Sequence, residues 1–173
     1  MNSIVLGGGC FWCLEAVFQR VKGVSLVKSG YAGGHTENPE YREVCAESTG
    51  HAEVVKVEYN ESVISLKELL NIFFIVHDPT TLNRQGNDRG TQYRSIILPT
   101  SDDELAVIKS AIEDAQAHYA DKVVTQVEKL QTFWPAETYH DNYYNQNQQQ
   151  PYCQLVVGEK VAKLHKYFAD YTD

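Results

Sequence analysis

Apolar and polar positions follow two different spacings along the first third of the chain, and these separate strands from a helix. Residues 3–6 form a short apolar run that three glycines end, a pattern typical of a buried strand followed by a tight loop. Between residues 11 and 20 the apolar positions recur at helical spacing, so the sequence predicts an amphipathic helix whose first turn begins at Cys10. Residues 24–31 and 53–59 predict two further strands.

The rest of the chain continues this alternation of helices and strands. It adds predicted helices at 65–77, 102–119 and 161–171 and predicted strands at 93–98 and 123–129. Ser65 followed by Glu68 forms a capping box at the start of the first of these helices. The order strand, helix, strand, strand, helix, strand matches the split βαβ pattern of ferredoxin-like folds. We therefore expect the α/β (α+β) class, as a two-layer sandwich with a ferredoxin-like core, a mixed sheet and an added helix and strand.

Two long polar segments interrupt this pattern, at residues 77–92 and 132–152, and the second is rich in aromatic, Asn and Gln residues. Loops this long inside a compact domain tend to be functional. A length of 173 residues fits one domain. We predict a single domain over residues 1–173, in which residues 145–173 form a C-terminal tail.

Composition narrows the class of protein. Hydrophobic residues at 43% and charged residues at 22% describe an ordinary soluble globular chain. A formal net charge of −8 argues against nucleic-acid binding as its main role. No apolar run approaches the roughly 18 residues of a membrane-spanning helix, and the N-terminus lacks the segments of a secretory signal. We therefore expect a reducing cytoplasm, where the four cysteines would be buried thiols, metal ligands or redox catalysts.

Cys10 stands out among these cysteines because it follows a strand and three glycines and begins a helix. The unpaired amide groups and the positive end of the helix dipole would then point at its sulfur. Such an environment lowers a cysteine pKa and favours the thiolate. The sequence predicts a nucleophile here, with a buried core thiol as the alternative.

A second cysteine, Cys13, completes a C-x-x-C motif, so a thioredoxin-type oxidoreductase is one candidate function. Cys45 and Cys153 each stand alone in their neighbourhood. A structural zinc site would need two well-spaced pairs or histidine partners, so we predict no metal site.

The stretch GGCFWC at residues 8–13 resembles the active-site signature of the methionine sulfoxide reductase A family, the peptide-methionine (S)-S-oxide reductases. Further blocks resemble those of the family in family order: GYAGG at 30–34, TGHAE at 49–53, HDPT at 77–80, NRQGND at 83–88, GTQYRS at 90–95 and PAETYH at 135–140. With the cysteine at position 153 they span most of the chain. The resemblance implies a repair enzyme that reduces the S epimer of methionine sulfoxide, free or in proteins, without a metal or organic cofactor.

The resemblance also assigns roles to residues. They are Cys10 as nucleophile, Glu53, Tyr41 and Tyr93 as acid and hydrogen-bonding groups, Phe11 and Trp12 as the substrate-methyl pocket, and Asp88 as a substrate-holding group. The chemistry of a sulfoxide agrees with these types, because a thiolate must attack sulfur while a donor protonates the leaving oxygen. Glu53 could donate a proton only if burial raises its pKa. We expect the histidines to support loops rather than act as bases.

The resolving thiol is less clearly assigned, because many family members have glycine at the position of Cys13. Cys153 resembles the C-terminal recycling cysteine of part of the family, and a mobile tail could carry it to Cys10. A Cys10–Cys13 bridge would disturb the turn that activates Cys10. We favour Cys153 as the resolver, with Cys13 as the alternative and Cys45 as a buried thiol.

The predicted partners follow from this scheme. Thioredoxin or a small dithiol would reduce the disulfide, and we expect no nucleic acid, no membrane and a monomer. Two other functions remain open. They are a general thiol-disulfide oxidoreductase that uses Cys10 and Cys13, and a non-catalytic module that binds sulfoxides or peptides.

Overall fold

The computed structural model describes residues 2–172, and a six-stranded sheet organises that part of the chain. The strands are β1 Asn2–Gly7, β2 Val24–Ala32, β3 Ala52–Tyr59, β4 Arg84–Gln85, β5 Asp88–Arg89, β6 Ile96–Leu98, β7 Gln126–Val127 and β8 Trp134–Pro135. The α-helices are α1 Phe11–Phe18, α2 Tyr41–Cys45, α3 Leu66–Val76, α4 Leu105–Gln116, α5 Tyr143–Gln146 and α6 Gly158–Tyr167. A π-helical segment, Cys153–Val157, leads directly into α6.

The strand order of this sheet is β7-β6-β1-β3-β2-β8, and β4 and β5 form a separate hairpin. The central four strands, β6-β1-β3-β2, pair antiparallel with one another, whereas β6 and β7 are parallel. This is the arrangement of a split βαβ core with added edge strands. The predicted fold class, with a mixed sheet, is confirmed. The register places Tyr31 of β2 beside Glu53 of β3.

The two faces of the sheet bury different clusters. Alternate residues of β1 show this, since Ile4 and Leu6 belong to the larger core and Val5 to a smaller one. Helices α1, α3, α4 and α6 contribute buried residues to the larger core, so they cover one face. Leu130 and Phe133 pack against the smaller core on the other face. The result is the predicted two-layer arrangement.

Helix α3 begins at the predicted capping box, in which Glu68 donates its backbone N–H to Ser65 Oγ. Other boundaries were wrong. The predicted strand 93–98 is a strand only from Ile96, because Gly90, at a φ of 143°, starts a 3₁₀ turn that runs to Tyr93. The predicted strand 123–129 forms a ladder only at β7, although flanking amides also bond to the β6 strand and its neighbours.

The C-terminal helix begins earlier than predicted. Cys153, Val157 and Leu164 are fully buried in the larger core, and with Val161 they follow one another at helical spacing. That periodicity starts eight residues before the predicted helix start at 161. Much of the segment predicted as a tail therefore contributes to the core. No helix within residues 2–172 is long and apolar enough to cross a membrane.

Candidate active site

Cys10 is held at the start of α1 by a tightly packed glycine turn. Gly9 has a φ of 93°, a conformation that L side chains rarely adopt. A Cβ on Gly8 would lie 2.9 Å from the His77 ring. That ring is fixed in turn, because its Nε2 lies 2.8 Å from Ser95 Oγ and its Nδ1 faces the Phe73 carbonyl. His77 therefore supports the turn that presents Cys10, in the manner expected from the sequence.

The predicted thiolate at Cys10 is wrong for this structure. Burial raises the pKa of the Cys10 thiol well above its usual value, and the neighbouring Glu53 raises it further. A hydrogen bond from the Trp12 backbone acts in the opposite direction but is the smaller effect. Cys10 is only 7% exposed, so desolvation of the charged form outweighs the helix terminus. The resting site holds a neutral thiol.

Glu53 has the environment that proton donation requires. It is 1% exposed, and burial raises its pKa to about 8. The Phe11 backbone N–H donates to Oε1 at 3.1 Å, whereas Oε2 has no hydrogen-bond partner among the described residues. The carboxyl group is therefore protonated at neutral pH and has one oxygen free to act on a ligand.

Tyr41 and Tyr93 lie near Glu53 and Cys10. Burial raises the pKa of both hydroxyls, and Glu53 and Cys10 contribute to the increase in each case. Glu53 and Cys10 are therefore near enough to both hydroxyls to raise their pKa. Both hydroxyls stay protonated and are hydrogen-bond donors. Tyr41 is positioned through its backbone N–H, which donates to Glu137 Oε2 at 2.9 Å.

Both residues of the predicted aromatic pair, Phe11 and Trp12, contact the His140 ring. The Phe11 ring is fully buried, with its centroid 4.9 Å from that of His140. Trp12 is half-buried and donates its Nε1–H to His140 Nδ1 at 3.0 Å. Its indole stacks on Tyr143, with centroids 3.8 Å apart and planes 7° apart. An apolar wall therefore stands beside Cys10.

A cavity of about 530 Å³ opens onto Cys10 and Cys13. Asp88 lines it, and the Tyr152 hydroxyl donates to Asp88 Oδ2 at 2.6 Å. Lys160 forms another part of its wall. The described residues that line this cavity do not include Phe11, Trp12, Tyr41, Glu53 or Tyr93. The cavity thus gives access to the sulfur of Cys10 and to Asp88.

The four thiols are free and occupy different positions. Cys13 is 1% exposed, and burial raises its pKa to about 12 against the opposing charge of Lys160. Cys153 is fully buried in the core, with its Sγ 3.5 Å from Gln150 Oε1. Cys45 is half-buried, not fully buried as expected, at the end of α2.

Sequence reasoning missed several residues that complete the site. They are Glu137, Tyr143, Tyr152 and Lys160. Three of them lie in or at the end of the long aromatic segment 132–152, whose unusual length and composition were the available signal. No signal in the sequence pointed to Lys160, because this residue lines the cavity only as a result of how α6 packs.

Comparison with known proteins agrees with this geometry. Residues 2–172 match the family model described as peptide methionine sulfoxide reductase. A peptide methionine sulfoxide reductase MsrA of Saccharolobus solfataricus is 51% identical over 170 residues, which cover 98% of this chain and 96% of the relative.

Solved structures are similar as well. The reduced form of Mxr1 from Saccharomyces cerevisiae superposes with a TM-score of 0.81 at 38% identity, over 88% of each chain. The structure of Mxr1 in complex with Trx2 matches with a TM-score of 0.56 at 29% identity, over 82% of this chain and 84% of that one. The matched family model spans the whole of the described chain, including the thiol, the carboxyl group and the two tyrosines of the site. The chain belongs to the peptide methionine sulfoxide reductase family.

Proposed function

We propose that this protein reduces the S epimer of methionine sulfoxide, free or in proteins, at Cys10. The observation that carries the proposal is the neutral carboxyl group of Glu53, which has one unpartnered oxygen and interacts with the Cys10 thiol. A sulfoxide is neutral and polar, and its oxygen must be protonated as it leaves sulfur. A nucleophilic thiol and a buried acid are the two groups that this reaction needs.

The chemical step follows from these protonation states. Glu53 donates its proton to the sulfoxide oxygen, and the hydroxyls of Tyr41 and Tyr93 stabilise the charge that develops there. Cys10 sulfur bonds to the substrate sulfur as its thiol proton passes to the Glu53 carboxylate. The hydroxyl group then passes from the substrate sulfur to the sulfur of Cys10, and the substrate S–O bond and the bond between the two sulfurs both break, which releases methionine and leaves Cys10 as a sulfenic acid. One thiol and one sulfoxide thus give one sulfenic acid and one thioether, and Glu53 regains its proton.

Substrate binding falls to residues beside the thiol. Phe11 and Trp12 form the wall that receives the methyl group, since an apolar surface favours a methyl over a polar substituent. Asp88, on the cavity that opens onto Cys10, holds the rest of the substrate. In the structure Tyr152 occupies one oxygen of that carboxylate, so substrate competes with it.

Recycling uses a second thiol and an external reductant. Cys153 attacks the sulfenic acid, water leaves, and a Cys10–Cys153 disulfide forms, which the dithiol of thioredoxin reduces. The related Mxr1 forms a complex with Trx2, which supports this choice of partner. Cys153 must leave the core to react, and it begins a π-helical segment, a conformation frequent at functional sites. Cys13, which lines the same cavity as Cys10, is the alternative resolver.

Two arguments set this function above the alternatives. A general dithiol oxidoreductase relies on a cysteine of lowered pKa, whereas burial raises the pKa of both Cys10 and Cys13. A non-catalytic module would have no use for a buried, protonated Glu53. We also propose that the enzyme works as one catalytic domain in the cytoplasm, where thioredoxin keeps thiols reduced.

Mass spectrometry after one equivalent of substrate, without reductant, tests the proposal. We expect the S epimer to produce a disulfide between Cys10 and Cys153, and the Cys153→Ser variant to stop at a Cys10 sulfenic acid. Cys10→Ser should lose activity completely. Retained activity in Cys10→Ser, or a preference for the R epimer, would contradict the proposed function. A Cys10–Cys13 disulfide would instead transfer the resolving role to Cys13.

A further inference from the structure

Within residues 2–172, two carboxylic acids are fully buried, and the reaction uses only one of them. They are Glu53, which is 1% exposed, and Glu15, which is 2% exposed. Glu15 lies on α1, on the helix that begins at Cys10, but it does not line the cavity. A buried carboxyl group is costly unless its oxygens are bonded, so its presence in an otherwise apolar helix calls for a physical reason.

Both oxygens of Glu15 accept backbone hydrogen bonds from one short segment. Asn142 N–H donates to Oε2 at 3.0 Å, and Tyr143 N–H donates to Oε1 at 3.3 Å. Asn142 has a φ of 56°, so the chain turns sharply at this point. These two hydrogen bonds fix the turn onto α1. Glu53 differs, because its Oε2 remains unpartnered.

The segment that Glu15 holds also orients the indole of Trp12. Tyr143 stacks on that indole at 3.8 Å, and His140, three residues before Tyr143, accepts its Nε1–H at 3.0 Å. Trp12 sits one helical turn before Glu15, so the two residues meet the same segment from neighbouring positions of α1. A shift of residues 140–143 would therefore tilt or displace the indole.

We propose that Glu15 is a positioning residue that fixes Trp12 through residues 140–143 and thereby sets the selectivity for a methyl group on the substrate sulfur. This inference rests on the proposed function, because it takes Trp12 as a wall of the methyl pocket. Glu15 does not touch the substrate. By fixing the Trp12 indole, Glu15 keeps the methyl pocket narrow, so the pocket rejects a larger alkyl group.

The test compares two substrates that differ by one methylene, the S epimers of N-acetylmethionine sulfoxide and N-acetylethionine sulfoxide, with dithiothreitol as reductant. One methylene in an apolar pocket changes kcat/KM by about 10- to 200-fold, so the wild-type protein should prefer methyl by roughly that ratio. Glu15→Gln retains one acceptor and places an NH₂ group against a backbone N–H. Loss of a buried hydrogen bond has an effect of about fivefold or more, and we expect the ratio to fall by at least that factor.

The matched control is Gln19→Ala. Gln19 lies one turn beyond Glu15 and donates from an exposed side chain to Asn142 Oδ1 at 3.2 Å. Gln19 contacts the turn at Asn142 but accepts none of the backbone N–H groups of that turn. Removal of the Gln19 side chain should therefore leave the methyl-to-ethyl ratio unchanged. An equal loss of kcat/KM on both substrates in Glu15→Gln would show a merely structural role and overturn the proposal.

Tyr143→Ala keeps the proposal testable if Glu15→Gln does not fold, because it removes the stacking ring without leaving a buried group unpaired. It should lower the same ratio, and an unchanged ratio would also overturn the proposal. The fluorescence of Trp12 in a Trp134→Phe background separates this inference from the proposed function. We expect Glu15→Gln to red-shift that emission even if the wild-type protein does not reduce sulfoxides.

Discussion

At the scale of single residues, the two buried carboxyl groups differ in the number of hydrogen bonds that they accept, and we assign them different roles on that basis. Glu15 and Glu53 are buried to almost the same extent, but the first accepts two backbone N–H groups and the second accepts one. The satisfied group positions its neighbours. Burial raises the pKa of both carboxyl groups, and Glu53, which has an unpartnered oxygen, keeps its proton at neutral pH.

The raised pKa of Glu53 predicts how stability depends on pH. Burial raises this pKa from 4.5 to about 8, so the stability contributed by Glu53 is present below pH 4.5 and is lost as pH rises through 8. Glu53→Gln cannot ionise, and we expect it to be more stable than the wild type above pH 8, by up to about 5 kcal/mol. Urea unfolding at pH 5, 7 and 9 measures the difference.

That advantage should be much smaller at pH 5, close to the ordinary pKa of 4.5, because Glu53 is then protonated in the folded protein. The exposed Glu113→Gln is the control and should follow the wild type at each pH. A constant difference between Glu53→Gln and wild type at all three values would mean that Glu53 does not change protonation on unfolding.

The same ionisation predicts the pH dependence of the first chemical step. Above pH 8 Glu53 loses the proton that it must donate, so the rate of sulfenic acid formation in a single turnover should fall as pH rises. Rapid quenching followed by trapping of the sulfenic acid gives this rate. Glu53→Gln should be slower by about 10²- to 10⁴-fold and should lose this pH dependence. A wild-type rate that increases with pH would indicate a thiolate nucleophile without an essential acid.

At the scale of elements, the proposed recycling by Cys153 requires the segment that carries this cysteine to move in each catalytic cycle. Tyr152, the residue before Cys153, connects it to the site through the hydrogen bond to Asp88 and through its edge contact with Trp12, whose centroid is 6.0 Å away. The adjoining segment, Cys153–Val157, is π-helical, a rare conformation that is frequent at functional sites. Opening of this segment, rather than of the whole protein, exposes Cys153.

Tyr152→Phe should make that opening easier. A hydrogen bond to a charged group contributes about 1.5 kcal/mol or more, so Cys153 in the variant should react about tenfold faster with iodoacetamide in the absence of substrate. Mass spectrometry of the labelled peptide gives the rate. Tyr167→Phe, on the exposed side of α6, should leave the rate unchanged. Equal labelling in both variants would mean that Tyr152 does not restrain the segment.

The elements that sequence spacing predicts best are those whose pattern is local. The alternation in β1 and the capping box of α3 depend on neighbouring residues, and both were correct. The pKa of Cys10 was not predictable in this way. The groups that bury it and that line its cavity include Asp88 and Tyr152, which are distant in sequence. A helix terminus is visible in a sequence, but the desolvation that outweighs it is a tertiary effect.

The resemblance to family blocks assigned roles to residues despite this limit. They named Glu53 and Tyr93, for which periodicity alone gave no chemical role. They did not reveal why Glu15 is buried, because its partners are backbone N–H groups of a loop whose path the sequence did not predict.

At the scale of the whole molecule, the C-terminal segment, residues 145–173, contributes to the stability of the core and, in the proposed cycle, to turnover. Its residues Cys153, Val157 and Leu164 are fully buried against the helices that cover the sheet. In the proposed recycling step the same segment must expose Cys153. Its stability therefore has an upper limit set by turnover and a lower limit set by the integrity of the core.

Leu164→Ala tests whether residues 145–173 unfold together with the rest of the domain. Removal of a fully buried leucine side chain costs about 2 to 5 kcal/mol, and in a single cooperative domain this loss lowers the stability of every part equally. We expect one urea transition, shifted by the same amount whether followed by far-UV circular dichroism or by tryptophan fluorescence. Lys163→Ala, on the neighbouring exposed position, is the control.

The contradicting outcome is a difference between the two probes. If fluorescence, which reports on Trp12 and Trp134, retained the wild-type midpoint while circular dichroism lost part of its amplitude at lower urea, the segment would be a separate folding unit. Release of Cys153 would then need no more than the unfolding of that unit, whereas a single transition requires a local opening within an intact core.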